Sequence, residues 1–188
     1  MGSDRVAIVP LTAERWNDFV DLFMRRGPRG GGSPGSSGCW CMWWRERGRP
    51  AENRASMERS VKAGDEPGLL AYRDGRAVGW ASVGPREQFG QLMRSRSYAP
   101  RDGDTGVWYI TCIYVHGSER HRGVARSLCE AAVTYAQTKG ACAIEAFPAT
   151  VGSRSDYMGS LSLYQSLGFS PIREVSTRTL VRLIASGS

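Results

Sequence analysis

The chain has 188 residues, which is enough for one domain with a single core and too few for two ordinary catalytic domains. Its net charge of +7 comes almost entirely from arginine, since lysine occurs only at Lys62 and Lys139. The arginines are scattered and accompany no nucleic-acid-binding motif, so the charge fits small phosphate-bearing ligands at least as well as a nucleic acid.

No stretch approaches the roughly 20 apolar residues of a membrane span, and the first residues do not resemble a signal peptide. These features predict a soluble, cytoplasmic protein with neither membrane nor nucleic acid as a partner. The five cysteines are an odd number, and three of them sit in apolar segments. They are predicted to be reduced thiols rather than a disulfide framework: Cys39, Cys41, Cys112, Cys129 and Cys142.

The first quarter of the chain predicts a strand, a helix and a loop. Residues 6–9 are apolar and strand-like, and Thr12 is a predicted helix N-cap. Helical spacing turns one apolar face toward the core: Trp16, Phe19, Val20, Leu22 and Phe23. Residues 27–38 are mostly Gly, Pro and Ser, a composition that predicts a flexible loop.

The middle of the chain predicts a helix followed by buried strands. Residues 51–63 form a predicted polar-faced helix that ends at Gly64. Two strand-like segments, 69–73 and 77–83, flank Asp74-Gly75, which is typical of a tight antiparallel hairpin. Residues 107–115 are an almost continuous β-branched and aromatic run, which predicts a central strand buried on both faces.

The last third alternates helices and strands. An apolar stripe predicts a helix over 124–138. After it we expect a strand at 141–147, a short helix at 161–167, and strands at 172–175 and 178–184. The elements form one predicted domain over residues 1–188.

The turn from the central strand into the helix at 124–138 is the most informative segment. It reads His116-Gly117-Ser118-Glu119, then Arg120-His121-Arg122-Gly123-Val124-Ala125. Free N–H groups and the positive dipole end at a helix N-terminus suit a diphosphate. Gly123 would allow close backbone approach, and the neighbouring arginines add charge. The alternative is an ordinary strand-to-helix turn with solvated arginines.

This turn resembles the signature [QR]-x-x-G-x-[GA] of the GCN5-related N-acetyltransferase (GNAT) superfamily, matched by Arg120, Gly123 and Ala125. Residues 163–169 (LYQSLGF) resemble the family's L-Y-x-x-x-G-F element at the expected spacing. Together with the strand before the turn and the order of elements, the resemblance covers residues 107–169. The resemblance implies an α/β (α+β) fold with a mixed, mostly antiparallel sheet, flanked by helices and splayed between its fourth and fifth strands.

The resemblance also implies acetyl-CoA as the acyl donor. The pantetheine arm would pair with main chain of the central strand, and the diphosphate would meet the turn. The implied cofactor-binding residues are Ile113, Tyr114, Val115, Arg120, His121, Arg122, Gly123, Val124, Ala125 and Arg126. One departure is that an asparagine common in the family before the last helix has no counterpart, since residues 157–160 read Tyr-Met-Gly-Ser.

Acyl transfer to an amine needs a neutral amine, a stabilised oxyanion and a proton for the departing thiolate. Tyr164 matches the family's general acid position; the alternative is a core tyrosine. Glu145, in an apolar strand beside the opening, is the predicted base; the alternatives are an edge charge or a structural partner of an arginine. His116 could relay a proton, whereas His121 falls within the phosphate turn.

Cys39-x-Cys41 lacks the second ligand pair that a zinc site requires, so no metal is predicted. With Trp43 and Trp44 it could wall an acceptor pocket; the tryptophans could equally be core, and Cys41 could be a nucleophile.

We expect an N-acetyltransferase that moves an acetyl group to a primary amine of a small molecule by direct attack in a ternary complex. Two alternatives remain, a non-catalytic acyl-CoA-binding module and a transferase that uses an acyl carrier protein as donor. Homodimers are frequent in the family, so a homodimer is a further expectation open to test.

Overall fold

The computed structural model describes residues 6–28, 32–149 and 157–185, and its seven strands form one sheet. They are β1 (Ala7–Pro10), β2 (Gly68–Arg73), β3 (Arg76–Pro85), β4 (Val107–Val115), β5 (Ala143–Ala146), β6 (Ser170–Val175) and β7 (Arg178–Ile184). The order across the sheet is β1-β2-β3-β4-β5-β7-β6. Of the strand pairs in the described ranges, β4–β5 is parallel and the others are antiparallel. The predicted mixed, mostly antiparallel sheet is confirmed.

Helices cover both faces of this sheet. They are α1 (Trp16–Met24), α2 (Pro50–Lys62), α3 (Gly90–Met93), α4 (Val124–Thr138) and α5 (Leu161–Ser166). Leu128 of α4 and Tyr164 of α5 belong to one buried cluster, whereas Phe19 of α1 and Met57 of α2 belong to another. No helix in the described ranges combines the length and the apolar character needed to cross a bilayer.

The start of α1 differs from the prediction. Thr12 makes no capping bond to the helix, because a 3₁₀ turn at Ala13–Arg15 comes first. The Thr12 hydroxyl instead accepts a hydrogen bond from the Arg15 guanidinium at 3.0 Å. The buried face of α1 is otherwise as predicted, except that Val20 is only partly buried.

Several other elements match their predictions closely. α4 has the predicted bounds, and α2 begins at Pro50, one residue before the predicted start. Asp74 and Gly75 connect β2 to β3, both with positive φ, +50° and +74°. Two consecutive positive φ values are typical of the tight turn expected for this hairpin.

The glycine-rich segment is packed in its second half. Residues 34–38 form turns, and Ser33 to Gly35 are buried. The Gly35 N–H donates to the Phe23 carbonyl at 2.9 Å, and a Cβ at Gly35 would lie 2.8 Å from that oxygen. Only glycine lets this turn approach the end of α1 so closely. The predicted flexible loop is therefore anchored here, by a contact that composition does not show.

The sheet opens between β4 and β5. The two strands pair only over Val107–Ile110, and β5 is shorter than the strand predicted at 141–147. Thr111 is an extra residue on β4, because Ile110 and Cys112 pair with consecutive residues of β3. Such a bulge bends the strand and re-aims its side chains. The predicted splay between the fourth and fifth strands follows from these two features.

Candidate active site

The chain enters α4 through a turn that exposes main-chain N–H groups. His121 and Gly123 both have a left-handed backbone, with φ of +61° and +79°. The Ser127 N–H donates to the Gly123 carbonyl at 3.0 Å, and no side chain caps the helix. The first N–H groups of α4 therefore have no partner within the helix, and the helix dipole adds positive potential there. An anion is favoured at this position.

A cavity of about 370 Å³ lies over this turn. A Cβ built on Gly123 would meet no atom within 4 Å, so the space above the turn is open. Most of the predicted cofactor-binding residues line the cavity: Val115, Arg120, His121, Gly123, Val124, Ala125 and Arg126. The structure therefore brings the predicted diphosphate-binding residues together, although their role stays a prediction.

The arginines of the turn differ in their surroundings. Arg122 is outside the cavity lining and forms an ion pair with Glu119 at 3.1 Å. Arg120 and Arg126 belong to the lining. The Arg126 guanidinium also donates to the Ser166 hydroxyl at 2.9 Å, which joins the start of α4 to α5. Two of the three predicted cationic side chains thus lie where a diphosphate would bind.

The diverging part of β4 presents main-chain groups to the opening. The Ile113 N–H donates a hydrogen bond to the Tyr157 carbonyl. The rings of Tyr157 and Tyr114 pack edge to face with centroids 5.6 Å apart. The segment at Tyr157 therefore lies where the pantetheine arm is expected. For that arm to pair with Ile113, the hydrogen bond from the Ile113 N–H to the Tyr157 carbonyl has to break. The Val115 N–H, two residues along the strand, faces the same side.

A second cavity, of about 290 Å³, lies at the β4 bulge. It is lined by Ser37, Cys39, Cys41, Trp43, Trp44, Thr111, Cys112, Tyr157, Met158 and Arg178. The Cys-x-Cys segment and its tryptophans thus wall a pocket beside the splay, which is one of the alternatives that the sequence left open. Thr111 and Cys112 connect this pocket to the strand that the donor is expected to follow.

The backbone of the Cys-x-Cys segment brings thiols together. Trp40 and Cys41 both have positive φ, +35° and +52°, which is unusual for two consecutive residues other than glycine. The Cys41 thiol forms hydrogen bonds with the thiols of both Cys39 and Cys112. Cys41 and Cys112 are buried, whereas Cys39 is partly exposed. Two thiols of one short segment and a third from β4 therefore lie together at the pocket wall.

The thiols at the pocket wall ionise differently. Hydrogen bonds from the Cys41 thiol and the Cys41 main-chain N–H lower the pKa of Cys39 to about 7. Burial raises the pKa of Cys41 well above its usual range. Cys39 is therefore the thiol of the pair that ionises near neutral pH. In the described part of the chain, no set of three or more Cys, His, Asp or Glu side chains has an arrangement that could hold a metal ion.

Tyr164 lies on the α4 side of the opening. It is fully buried on α5, and its ring packs edge to face on Phe169 at 5.1 Å. Burial raises the pKa of the neighbouring Cys129 thiol to about 12, and the Tyr164 side chain opposes that rise. Gly159 comes so close that a Cβ there would lie 2.9 Å from the tyrosine ring. The general-acid role stays a prediction, supported by the position of the hydroxyl next to the segment that crosses the opening.

Glu145 lies in an ion-pair network rather than at the pocket wall. It is 1% exposed, and its carboxylate accepts hydrogen bonds from Arg86 at 3.2 Å and Arg182 at 2.7 Å. Both arginines also pair with Asp102, at 2.8 Å each. This is the structural-partner alternative considered from the sequence. The role of Glu145 as base stays a prediction that the surroundings do not favour.

His116 is held by both ring nitrogens. Its Nε2 lies 3.1 Å from the Arg26 carbonyl oxygen and its Nδ1 lies 2.8 Å from the Ser118 hydroxyl. It is buried at the end of β4, where it ties the end of the α1 segment to the strand. These contacts indicate a structural role for His116. His121, by contrast, is exposed in the turn before α4, as expected.

Sequence reasoning missed the parts of the pocket that come from elsewhere in the chain. Cys112 was expected only to be a small buried residue of the central strand. Met158 and Arg178 carried no motif. A thiol among large aromatic residues in a central strand was the one available signal, and it does not distinguish a pocket wall from a core position.

The structure is that of an α/β protein with a splayed mixed sheet, a turn suited to an anion at the start of α4, and a pocket at the β4 bulge. The sequence model of the Acetyltransferase (GNAT) family matches residues 37–169. This match covers more than half of the chain, so the chain belongs to the Acetyltransferase (GNAT) family. GNAT enzymes are N-acetyltransferases that use acetyl-CoA as donor, so the expected family, reaction class and donor agree with the assignment.

Solved structures share this fold over nearly the whole chain. An N-acetyltransferase from Staphylococcus aureus Mu50 is 16% identical with a TM-score of 0.56, covering 97% of this chain and 99% of that chain. PaiA N-acetyltransferase from Thermoplasma acidophilum, in complex with coenzyme A, is 14% identical with a TM-score of 0.57, covering 96% and 99%.

YncA from Salmonella typhimurium, solved with acetyl-CoA, is 16% identical with a TM-score of 0.57, covering 96% of this chain and 94% of that chain. A search of curated proteins gave no significant match. At these identities the structural likeness establishes the fold, and the acceptor has to be argued from the pocket.

Proposed function

We propose that this protein is an acetyl-CoA-dependent N-acetyltransferase that acetylates a primary amine of a small molecule. The observation that carries the proposal is the position of the two cavities at opposite ends of the diverging part of β4. One includes Val115 and the α4 turn, and the other includes Thr111 and Cys112. A donor bound along this strand would place its thioester at the mouth of the acceptor pocket.

The residues of the α4 turn fit the donor. Main-chain N–H groups without helical partners would bind the diphosphate, and the open space above Gly123 would admit it. Arg120 and Arg126 would add charge-assisted contacts. The compared PaiA structure contains coenzyme A and the compared YncA structure contains acetyl-CoA, which supports this assignment.

The acceptor pocket favours a small molecule with a flat apolar body. Its volume of about 290 Å³ is at the low end of the roughly 300–1,000 Å³ usual for ligand pockets. Trp43, Trp44 and Met158 supply apolar walls. Among the described lining residues Arg178 is the one with a permanent charge, and that charge is positive. An amine with a single aromatic ring system therefore fits better than a polycationic acceptor.

Transfer requires groups that handle protons and charge. Tyr164 is the proposed donor of a proton to the departing thiolate, since an unperturbed phenol is a weaker acid than an unperturbed thiol and holds its proton until the thiolate forms. A main-chain N–H near Tyr114 is the proposed oxyanion partner. Direct attack by the amine also needs a base, but the described lining residues include neither a carboxylate nor an imidazole.

Native mass spectrometry with acetyl-CoA, CoA and dephospho-CoA tests donor binding, and chromatographic assay of released CoA against a panel of amines tests transfer. We expect one acetyl-CoA per subunit and amine-dependent turnover that is highest for small aromatic amines. A donor adduct without turnover on any amine would identify a binding module instead. Turnover only with an acyl carrier protein would identify the carrier as the donor. Absence of any CoA adduct on folded protein would overturn the proposal.

A further inference from the structure

Resting on the proposed function, we infer that Cys39 is a covalent acyl carrier: the acetyl group passes from CoA to the Cys39 sulfur and from there to the amine. This differs from the direct attack that the family resemblance implies. It also differs from the nucleophile considered from the sequence, which was Cys41. The thiol cluster at the acceptor pocket carries the inference.

The geometry singles out Cys39 within that cluster. Cys41 is 5% exposed and Cys112 is 8% exposed, so both are buried, whereas Cys39 is partly exposed at the cavity wall. Trp40 and Cys41 have a left-handed backbone, and the Cys41 thiol and main-chain N–H both act on the Cys39 sulfur. Two donors directed at one accessible sulfur stabilise its thiolate. Cys41 is therefore the positioning residue, and Cys39 faces the ligand space.

The same cavity brings this sulfur to the reacting region. Thr111 and Cys112 line it at the bulge where β4 leaves β5, and Cys112 is in hydrogen-bond contact with Cys41. The donor's expected path runs along β4 toward this bulge. A thioester at the end of that path would lie at the cavity that Cys39 lines.

The ionisation of the cluster supports the assignment. The pKa of Cys39, lowered to about 7 by Cys41, makes it substantially thiolate at neutral pH, and a thiol whose pKa is close to the ambient pH is the best attacking thiol. None of the other described lining residues is a carboxylate or a histidine. A thiolate needs no base for its attack on the donor thioester, whereas the amine must lose a proton in the second step, as it must in direct attack.

The two steps balance without any oxidant or reductant. In the first, the Cys39 thiolate attacks the thioester carbonyl, a C–S bond to Cys39 forms, the C–S bond to CoA breaks, and CoA leaves as a thiolate that takes a proton. In the second, the neutral amine attacks acetyl-Cys39, the C–N bond forms, and the C–S bond to Cys39 breaks. The nitrogen loses its proton to solvent, and the Cys39 thiolate is regenerated.

The direct test is the intact mass of the protein after mixing with acetyl-CoA in the absence of amine, with an acid quench. We expect one acetyl group per subunit, removed by hydroxylamine as a thioester is, mapped to Cys39 by peptide mass spectrometry, and accompanied by one released CoA. Cys39→Ser and Cys39→Ala should lose this adduct. Cys142→Ser, at an exposed thiol outside the pocket, should retain it.

Steady-state kinetics and alkylation supply independent readouts. Wild-type protein should give parallel double-reciprocal lines, and Cys39→Ala should turn over at least about 100-fold more slowly while still binding CoA in native mass spectra. Iodoacetamide should label Cys39 with a rate that rises as pH rises through about 7, because only the thiolate reacts. Cys41→Ala should move this midpoint to higher pH, since it removes the thiol donor.

Two results separate this inference from the proposed function. Amine turnover with intersecting lines and no thioester adduct on wild-type protein at any quench time would overturn the relay and leave direct attack, with the proposed function intact. Absence of CoA binding and of turnover on folded protein would overturn both. An acetyl group mapped to a residue other than Cys39 would overturn the assignment of the sulfur.

Discussion

Glu145 and Tyr164, the two predicted catalytic residues, have different surroundings. Glu145 is buried between two guanidinium groups that hold it against the ends of β3 and β7. A carboxylate with both oxygens bonded to arginine is poorly placed to accept a proton from an amine at a cavity that it does not line. We therefore expect it to act mainly on stability.

Glu145→Gln should lower the free energy of unfolding by about 3 kcal/mol, because removing one partner of a buried ion pair leaves the other charges uncompensated. Denaturant unfolding measures this, and the affinity for acetyl-CoA should not change. The matched control is Glu58→Gln, which breaks the surface pair with Lys62 and should have no measurable effect on stability. A large loss of kcat at unchanged stability would instead indicate that Glu145 is the base.

Tyr164→Phe should lower kcat by about 100-fold with little change in acetyl-CoA affinity, because it removes the proposed proton donor and keeps the buried ring. Turnover and native mass spectra measure the two quantities. Tyr135→Phe is the control, since it also removes one hydroxyl, the one bonded to Glu66 on the surface of α4. Equal, small effects of both substitutions would show that Tyr164 is a core tyrosine.

At the scale of elements, the entry to α4 combines backbone conformation with binding. Gly123 has a φ of +79°, which costs roughly 1–2 kcal/mol for residues with a side chain. Its missing Cβ also leaves open the space where the diphosphate is expected. One glycine therefore serves both the fold and the proposed site.

Gly123→Ala should weaken acetyl-CoA binding by about tenfold or more, since a Cβ displaces the phosphate from charge-assisted hydrogen bonds. Isothermal titration calorimetry measures the affinity. Gly140→Ala is a control for strain, because Gly140 also has a positive φ, +85°, and open space around it, but follows the other end of α4. Similar affinity losses in both variants would place the phosphate elsewhere.

At the scale of the whole molecule, the net charge of +7 attracts an anionic donor. The acetyl-CoA dissociation constant should rise as NaCl increases, because salt screens charges on exposed arginines. Arg126→Gln should weaken binding up to about fivefold at low salt, which corresponds to about 1 kcal/mol, and should flatten the salt dependence. The matched control is Arg59→Gln on α2, which removes the same charge and should leave the affinity for acetyl-CoA unchanged. Equal effects of both variants would mean that only overall charge matters.

How well the sequence predicted a feature depends on how far apart in the chain its contacting residues lie. The hairpin at Asp74-Gly75 and the stripe of α4 depend on neighbours within a few residues, and both were predicted correctly. Thr12 failed as the N-cap of α1 because a 3₁₀ turn lies between them, a local detail that residue type does not reveal. The packing of Gly35 on the end of α1 likewise depends on a contact absent from composition.

By itself, the sequence determined the family, the order of the strands and longer helices, and the position of the turn before α4, because these depend on short motifs and on the periodicity of apolar residues. Only the tertiary structure decided what surrounds each candidate side chain. It placed Glu145 between Arg86 and Arg182, and it joined Cys39 and Cys41 to Cys112 across the β4 bulge. Burial and hydrogen-bond partners set the reactivity of an ionisable group, and for Glu145 the partners come from residues far apart in the chain.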